Sequence, residues 1–286
     1  MELYEPSTIK LIKNKYGFRF SKSLGQNFLI DKGVIDSIVE GADISEDDLV
    51  LEIGPGIGVL TQAAAEKAGR VVCVEIDSNL IEIMKFTLYG LDNIKIINDN
   101  ILKTDITSLI REEQGDLKHV KILGNLPYYI TTPIIMKLLS ERVPCESITV
   151  MMQKEVGDRI ISGPGTKVYG AVSVAVQYYS EVTRIADVPK TCFMPQPKVD
   201  SCVLRMDIRE KPAVETEDED KYFSVVRSAF SQKRKTLLNS LGGTGASKDV
   251  IRDALTEAGV DPKRRAETLT LSDFARITAA LSERGF

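Results

Sequence analysis

Residues 49–58 read Leu-Val-Leu-Glu-Ile-Gly-Pro-Gly-Ile-Gly, a short apolar run that leads directly into three glycines. The apolar run is typical of an interior strand of a parallel sheet. Gly54, Gly56 and Gly58 allow the backbone to turn tightly and to approach a ligand without interference from Cβ atoms. A helical pattern begins at Val59. The stretch therefore predicts the first half of a nucleoside-binding βαβ unit.

The next predicted strand, residues 71–76, indicates which nucleoside is bound. Glu75 follows Gly54 by about 20 residues, the separation at which a carboxylate at a strand end meets ribose hydroxyls. The dinucleotide fingerprint would place a third glycine where this chain has Val59. Acids on both sides of the turn, Glu52 and Glu75, favour a ligand with positive charge, such as S-adenosylmethionine. Similar glycine turns also occur without a ligand, so the cofactor depends on further motifs.

Composition indicates an ordinary globular protein. The chain has 286 residues, of which 43% are hydrophobic and 27% charged. No apolar run approaches the ~18 residues of a membrane helix, and the N-terminus lacks the features of a signal peptide, so we expect a cytoplasmic protein with no membrane association. The four cysteines show no C-x-x-C spacing, and no metal site is predicted. His119, the only histidine, is expected to be structural.

Apolar runs and helical patterns alternate over the first two thirds of the chain, which predicts a parallel sheet with helical crossovers. The last two strands have no helix between them and are expected to pair antiparallel at one edge. With the glycine turn, this count predicts an α/β fold with a seven-stranded doubly wound class I (Rossmann-like) methyltransferase sheet. The predicted strands are 49–53, 71–76, 94–98, 120–124, 147–152, 182–188 and 202–208.

The character of the sequence changes near residue 211. An acidic, proline-containing linker, residues 211–220, precedes segments that are all helical. We therefore predict a methyltransferase domain over residues 1–211 and a small all-α domain over residues 212–286. Within the first domain, residues 20–31 follow no period, and we expect them to form a lid over the nucleoside pocket or an arm packed on the core.

Two segments carry positive charge although the whole chain has a formal net charge of −4. Residues 1–35, which include Lys22, hold six basic and three acidic residues, and residues 221–235 hold five basic residues and no acid. Basic patches on an acidic protein are typical of a surface that binds phosphates at one face. Such runs also occur as solvated faces of helices.

A second motif, residues 124–129 (Gly-Asn-Leu-Pro-Tyr-Tyr), follows the fourth predicted strand, on the same sheet edge as Gly54. An exocyclic amine of a nucleobase is a poor nucleophile because its lone pair is delocalised into the ring. The Asn125 side-chain oxygen and the Leu126 carbonyl could accept its two hydrogens and direct the lone pair at a methyl group. Tyr128 could stack on the base. No general base is needed, so the scarcity of histidine is no objection.

Seven ordered segments of the chain resemble the rRNA adenine dimethyltransferase family, in particular its bacterial members that act on the small subunit. The resemblance covers almost the whole chain. It implies dimethylation of two adjacent adenosines in a hairpin near the 3′ end of 16S rRNA within an immature 30S particle, by a monomer using S-adenosylmethionine. The segments are residues 26–31, 52–58, 74–77, 125–128, 164–170, 193–201 and 230–238.

The resemblance also implies roles for individual residues. Glu75 would bind the ribose hydroxyls and Asp99 the adenine amine of S-adenosylmethionine, and Phe193 would stack on the target base opposite Tyr128. The expected cofactor contacts are Asn27, Leu29, Gly54, Glu75, Asp99 and Asn125, and the target amine would be bound by Asn125, Leu126 and Tyr128. The expected contacts to rRNA phosphates are Arg227, Lys233, Arg234, Lys235, Lys263, Arg264 and Arg265.

Four other functions compete with this interpretation. The nearest is the sister enzyme that methylates large-subunit rRNA, although residues 129–133 and 193–201 look closer to the small-subunit enzyme. A DNA adenine methyltransferase is disfavoured because no segment resembles a DNA-reading domain. A ribosome assembly factor that acts by binding remains open, although Glu75 and Asn125 argue for retained activity. An NAD-dependent dehydrogenase is disfavoured by Val59.

Overall fold

The computed structural model describes residues 1–21 and 24–286, so Lys22 lies outside the described residues. The described part of the chain contains nine strands, two of them only two residues long. The strands are β1 Phe28–Leu29, β2 Asp48–Ile53, β3 Arg70–Glu75, β4 Ile94–Asn98, β5 His119–Asn125, β6 Ser147–Gln153, β7 Ser180–Val188, β8 Phe193–Met194 and β9 Ser201–Ile208.

Seven of these strands form one sheet in the order β4-β3-β2-β5-β6-β9-β7. Neighbouring strands from β4 to β6 are parallel, and β9 is antiparallel to β6. The seven strands correspond to the seven predicted ones, and β9 and β7 are neighbours at one edge as expected. The predicted Rossmann-like methyltransferase sheet is confirmed.

The strand order places a crevice at the carboxyl ends of β2 and β5. Strands β3 and β4 follow β2 in sequence and lie on one side of it, whereas the next strand, β5, lies on the other side of β2. Ligands of open α/β sheets bind where the strand order reverses in this way. The glycine turn follows β2, and the Asn-Leu-Pro-Tyr motif follows β5, so both predicted motifs meet at this crevice.

The chain divides into two compact units, Met1–Gly157 with Val182–Ile208, and Asp158–Glu181 with Arg209–Phe286. The division after Ile208 lies close to the predicted boundary at residue 211. The second unit, however, also takes in Asp158–Glu181, which the sequence pattern assigns to the first domain.

The first unit surrounds the sheet with helices whose apolar faces are buried. Its helices, the last of which ends in the second unit, are α1 Pro6–Tyr16, α2 Lys32–Gly41, α3 Val59–Ala65, α4 Ser78–Thr87, α5 Ile106–Gln114, α6 Thr131–Ser140 and α7 Lys154–Ile161. A large hydrophobic cluster packs β2 and β3 against α2 to α4 and the N-terminal arm. Within the described residues, no helix is both long and apolar enough to cross a bilayer.

The second unit is helical and has its own aromatic core. Tyr222 and Phe274 are completely buried, and the rings of Tyr178 and Tyr222 lie 5.0 Å apart between centroids. Aromatic side chains bury large areas, so few of them suffice for a small core. Its helices are α8 Ala171–Tyr179, α9 Glu219–Phe230, α10 Leu237–Ser240, α11 Lys248–Glu257 and α12 Leu271–Ser282.

One predicted helix of this unit is much shorter than expected. The sequence pattern predicts a helix over residues 233–241, but α10 covers only Leu237–Ser240, and residues 231–236 form a turn after α9. Lys233, Arg234 and Lys235 therefore lie on an exposed turn rather than on a helix face.

Candidate active site

A cavity of about 220 Å³ opens at the carboxyl edge of the sheet, in the first unit. It lies where the strand order predicts a ligand site. Four strand ends supply its walls, from β2, β3, β4 and β5, together with the segment before β1. Of the predicted cofactor and catalytic residues, those that line it are Asn27, Leu29, Gly54, Glu75, Asp99, Asn125, Leu126 and Tyr128.

The glycine turn after β2 requires glycine for two different reasons. Gly54, Gly56 and Gly58 all have positive φ, at 68°, 64° and 90°, a conformation that disfavours other residues. A Cβ on Gly54 would meet no atom within 4 Å, so this glycine leaves open space at the cavity wall. A Cβ on Gly58 would instead lie 2.8 Å from Leu88 Cδ2. Gly54 therefore keeps room for a ligand, whereas Gly58 permits close packing.

Glu75 ends β3 with its carboxylate at the cavity. Its Oε1 accepts a hydrogen bond from Asp77 N at 2.9 Å and its Oε2 one from Gly56 N at 3.3 Å. Burial raises the pKa of this carboxyl, and the two backbone hydrogen bonds partly offset the rise. The carboxylate is thus fixed at the turn, with lone pairs left for hydroxyl donors such as those of a ribose.

Asp99 lies at the end of the neighbouring strand β4, in an exposed setting. Its Oδ2 accepts from the Thr104 hydroxyl at 2.8 Å and its Oδ1 from Asn100 N at 2.7 Å. These two hydrogen bonds, the one from Thr104 first, lower the pKa of Asp99. Asp99 therefore supplies an ionised acceptor at the cavity, as the base amine of a nucleoside requires.

Glu52 is a second carboxyl at the cavity wall, and it is buried in β2 at 1% exposure. The Thr61 hydroxyl donates to its Oε2 at 2.6 Å. Burial raises the pKa of Glu52 to about 7, although the hydrogen bond from Thr61 acts in the opposite direction. Glu52 therefore titrates near neutral pH.

The Asn125 amide is oriented by a hydrogen bond at the end of β5. Its Nδ2 donates to the Asn27 carbonyl oxygen at 2.9 Å. A carbonyl can only accept, so the nitrogen must face Asn27 and the Asn125 oxygen must face the other way. Leu126, whose backbone carbonyl is the second predicted acceptor, lines the same cavity. The site thus presents a side-chain oxygen whose direction is set by the protein.

Tyr128 is also held in place before any substrate arrives. Its hydroxyl lies 2.7 Å from Ser201 Oγ at the start of β9, and its ring is half-buried at the cavity. Burial raises the pKa of the Tyr128 phenol, although the Ser201 contact lowers it. The ring is therefore neutral at physiological pH and presents a face for stacking.

Phe193 does not lie at the cavity, contrary to the role expected from the resemblance. It is 3% exposed and belongs to the hydrophobic core of the first unit. Its backbone pairs with Leu29 in the short antiparallel sheet of β1 and β8. In this structure Phe193 supports the wall beside the cavity and offers no face to a base.

Residues 24–29, which we call the strap, contact both the glycine turn after β2 and the Asn-Leu-Pro-Tyr motif after β5. Phe28 packs against the glycine turn, since a Cβ on Gly56 would lie 3.0 Å from its ring. A Cβ on Gly25 would lie 3.6 Å from Pro127 and Tyr129 in the second motif. Residues 20–31 are predicted as a lid or an arm, and the strap within that range is an ordered wall that touches both motifs.

The basic residues predicted for RNA lie in the second unit, on or near two turns, 231–236 and 262–265, and the second turn is hydrogen-bonded to the start of α10. Leu237 N donates to Arg264 O at 2.8 Å, and Leu238 N donates to Pro262 O at 3.2 Å. These bonds place the turn 231–236 beside the turn 262–265. Of the predicted residues, Arg264 is half-buried and the others are exposed: Arg227, Lys233, Arg234, Lys235, Lys263 and Arg265.

Ile76, Tyr129 and Gln26 also line the cavity, although the sequence assigned no individual role to them. Ile76 and Tyr129 are large apolar side chains that are 52% and 58% exposed there. Gln26 joins the strap to Asp77, with Nε2 donating to Asp77 Oδ2 at 2.8 Å. Ile76 and Tyr129 adjoin Glu75 and Tyr128 in the sequence, which was a signal for both. Gln26 lies in the segment 26–31 that carries the resemblance, but its contact with Asp77 had no signal, because the two residues lie 51 positions apart.

Comparisons with known proteins agree with this geometry. A model of the ribosomal RNA adenine dimethylase family matches residues 17–283. The protein of Alkaliphilus oremlandii named ribosomal RNA small subunit methyltransferase A is 51% identical over 281 residues, 98% of each chain. The protein of Bacillus cereus with the same name is 48% identical over 284 residues, covering 98% of this chain and 97% of the other.

Solved structures show the same architecture. A dimethyladenosine transferase from Plasmodium falciparum superposes with a TM-score of 0.76 at 27% identity, covering 91% of this chain and 98% of the other. The 23S rRNA methyltransferase ErmE superposes with a TM-score of 0.68 at 27% identity, covering 89% of this chain and 99% of the other. With the family model spanning nearly the whole sequence, the chain belongs to the ribosomal RNA adenine dimethylase family.

Proposed function

We propose that this protein dimethylates the exocyclic amines of two adjacent adenosines near the 3′ end of 16S rRNA, in an immature 30S particle, using S-adenosylmethionine. It acts as a monomer in the cytoplasm. The observation that carries the proposal is the orientation of the Asn125 amide, whose oxygen is set by the bond from its Nδ2 to Asn27 O in the same cavity as Glu75. Relatives with about half of their residues identical are named for the small subunit.

The residues at the cavity fit S-adenosylmethionine. Glu75 would accept hydrogen bonds from the ribose hydroxyls, Asp99 would accept from the adenine amine, and the exposed Ile76 side chain offers an apolar surface to the base. The open space at Gly54 would admit the amino-acid part of the cofactor. The strap residues Asn27 and Leu29 would close the opposite wall. When bound, this cofactor supplies an electrophilic methyl group on a sulfonium.

The protein activates the target amine by positioning it. The Asn125 oxygen and the Leu126 carbonyl would each accept one N–H of the adenine amine, which favours a pyramidal nitrogen with its lone pair directed away from both acceptors. Tyr128, anchored by Ser201, would stack on the flipped-out base, which is worth ~1–3 kcal/mol. The amine loses its proton after the methyl group has been transferred, so the site needs no strong base.

The second unit would bind the rRNA backbone. Five exposed lysines and arginines on its two adjacent turns, Lys233, Arg234, Lys235, Lys263 and Arg265, give a concentrated positive charge on a protein whose net charge is negative. Phosphate contacts position an RNA without reading its sequence. Recognition of the two adenosines would then rest on the cavity and on the shape of the surrounding particle.

Transfer of a radiolabelled methyl group to ribosomal particles tests the proposal. We expect the protein to label 30S particles that lack the dimethyladenosines, with up to four methyl groups per particle because two amines each accept two. Fully methylated 30S particles are the matched control and should accept none. Equal labelling of both kinds of particle, or preferential labelling of bare large-subunit RNA, would overturn the assignment.

A further inference from the structure

The side chain of Gln26, in the strap, makes a bridge between Ser21 in the N-terminal arm and Asp77 after β3. Its Oε1 accepts from Ser21 N at 2.7 Å and its Nε2 donates to Asp77 Oδ2 at 2.8 Å. The Ser21 N–H can only donate, so it must face the amide oxygen of Gln26. The Asp77 carboxylate can only accept, so it must face the amide nitrogen. The side chain is therefore fixed in orientation, and both of its ends are used within the protein.

Asp77 links this bridge to the predicted ribose site. Its backbone N–H donates to Glu75 Oε1 at 2.9 Å. Its Oδ1 accepts from Asn79 N at 3.0 Å and caps α4. One carboxylate oxygen thus fixes the start of α4 and the other fixes Gln26. Two consecutive hydrogen bonds therefore join Glu75 through Asp77 to the strap.

The residue after Gln26 controls the catalytic amide. The Asn27 carbonyl is the acceptor for Asn125 Nδ2, and the Asn27 side chain donates to Gly25 O at 3.0 Å, which tightens the turn before it. The position of the Asn27 carbonyl depends on where Gln26 is anchored, because consecutive backbone atoms cannot move independently. A continuous set of contacts therefore runs from Glu75 through Asp77, Gln26 and Asn27 to Asn125.

We propose that Gln26 is a positioning residue for methyl transfer, which acts through the Asn27 carbonyl to aim the Asn125 oxygen at the target amine. The inference rests on the proposed function and deepens it. Because the bridge begins at the carboxylate that would bind the ribose, it also joins the occupancy of the cofactor site to the geometry of the catalytic amide. Gln26 itself makes no step of the reaction.

An exchange of the two bridging groups tests this role. Gln26→Glu keeps the size of the side chain and its acceptor for Ser21 N, but it places a carboxylate against Asp77. In the double variant Gln26→Glu/Asp77→Asn, the amide introduced at position 77 can donate to the carboxylate introduced at position 26, while the amide oxygen still caps α4. The bridge is then rebuilt with donor and acceptor reversed. Asp77→Asn alone is the matched single variant.

The measurement is single-turnover methyl transfer to the rRNA particle that the wild type methylates, with S-adenosylmethionine varied to saturation. We expect Gln26→Glu to lower the saturated rate at least tenfold, with less than a threefold change in the apparent KM for S-adenosylmethionine. We expect the double variant to recover to within threefold of the wild-type rate. Melting temperatures of all variants show whether each one is folded.

Three results would overturn the inference: a saturated rate for Gln26→Glu less than tenfold below that of the wild type, no recovery in the folded double variant, or an effect confined to KM. If Gln26→Glu does not fold, Gln26→Met removes both hydrogen bonds without adding charge and is held to the same tenfold criterion. Failure of the proposed function is a different result, since the wild type itself would then label no 30S particle.

Discussion

The role proposed for Asn125 requires an amide and could not be filled by a carboxylate, although the two groups are of nearly equal size. Its Nδ2 donates to the Asn27 carbonyl at 2.9 Å, and an aspartate at this position would place an oxygen against that carbonyl instead. The repulsion would rotate the side chain away from the orientation needed to accept from the amine. Shape is therefore preserved in Asn125→Asp, while the donor to Asn27 is lost.

We expect Asn125→Asp to lower the rate of methyl transfer at least about 100-fold, the size of effect seen when one positioned hydrogen-bonding group is lost from an active site. Single-turnover labelling of 30S particles measures it. Transfer by Asn125→Asp at full speed would contradict the role assigned to the amide.

Glu52 makes stability depend on pH in an unusual direction. Burial raises its pKa from 4.5 to about 7 in the folded protein, so between these values the folded state binds more protons than the unfolded state. Stability from this group is therefore fully present at low pH and is lost as pH rises through 7. The loss amounts to about 3 kcal/mol by pH 8.

We expect Glu52→Gln to remove this pH dependence. The variant keeps an oxygen to accept from the Thr61 hydroxyl, and it should gain about 2–3 kcal/mol over the wild type at pH 8 but little at pH 5. Urea unfolding at the two pH values gives both differences. A gain of equal size at both pH values would show that the carboxyl is not protonated on folding.

Sequence reasoning succeeds at residues whose role follows from their place at a strand end. Glu75, Asp99 and Asn125 are predicted to lie at one edge of the sheet because parallel strands share a direction, and all three line one cavity. The sequence could not show that Phe193 is 3% exposed, because an aromatic residue in a motif looks the same whether its ring faces a ligand or the core.

At the scale of elements, the turn after β2 needs a glycine at its start to leave space in the cavity and a glycine at its end to pack closely against Leu88, the residue after α4. Gly54 faces open space at the cavity, whereas Gly58 lies against Leu88. Both have positive φ, so alanine costs roughly 1–2 kcal/mol of backbone strain at either position. What differs between them is the consequence of the added methyl group.

We expect Gly54→Ala to weaken S-adenosylmethionine binding at least tenfold while it destabilises the fold by only about 1–2 kcal/mol. Gly58→Ala should be the more destabilising of the two, because the overlap with Leu88 adds a packing cost of about 1–3 kcal/mol. Calorimetric titration and urea unfolding of both variants supply the comparison. Equal stability of the two variants would argue against the packing role of Gly58.

The elements that are predicted well are those with strong periodic signals. Most strands of the large sheet contain a short apolar run bounded by turn residues, and all seven strands are predicted. β1 and β8 contain two residues each, which is too short to show a periodic pattern of apolar residues. They form because two segments far apart in the sequence pair with each other. Residues 231–236 include good helix formers, yet α10 begins only at Leu237, whose backbone N–H donates to the carbonyl oxygen of Arg264, a residue far away in the sequence.

At the scale of the whole molecule, charge is distributed unevenly. The formal net charge is −4, yet the adjacent turns 231–236 and 262–265 bring together exposed cations. Binding of a polyanion through such a surface is driven by the release of counterions, so it weakens steeply as salt rises. Net charge alone would have argued against an RNA ligand.

We expect the triple variant with Lys233, Arg234 and Lys235 replaced by alanine to bind rRNA more weakly and with a flatter salt dependence. Loss of three phosphate contacts should reduce the slope of log K against log salt by about 2–3. Filter binding at several salt concentrations measures the slope, and S-adenosylmethionine affinity should not change. A control triple that replaces other exposed cations with alanine should leave the slope unchanged, and an equal change in both triples would exclude a localised surface. The control positions are Lys211, Lys248 and Arg252.

The division of the chain is only partly visible in the sequence. The acidic linker and the loss of strand patterns mark the boundary near residue 211, since composition changes there. The assignment of Asp158–Glu181 to the helical unit has no such mark, because α7 and α8 lie between two strands of the large sheet, β6 and β7, in the sequence. Segments that cross between units in this way can be identified only from their packing.

A dimethylase consumes two donor molecules for every amine, so its pocket has to empty and refill between transfers. In this protein the backbone of the strap is paired at one end, where Leu29 pairs with Phe193 and Ile30 N donates to Cys192 O at 2.9 Å, whereas Gln26 and Asn27 are held through single hydrogen bonds to Asp77 and Asn125. We therefore expect spent donor to leave by a swing about this paired end, with Gly25 at the moving tip. Loosening this pairing would shorten the residence time of the donor and quicken its replacement, but it would leave the amide less well aimed.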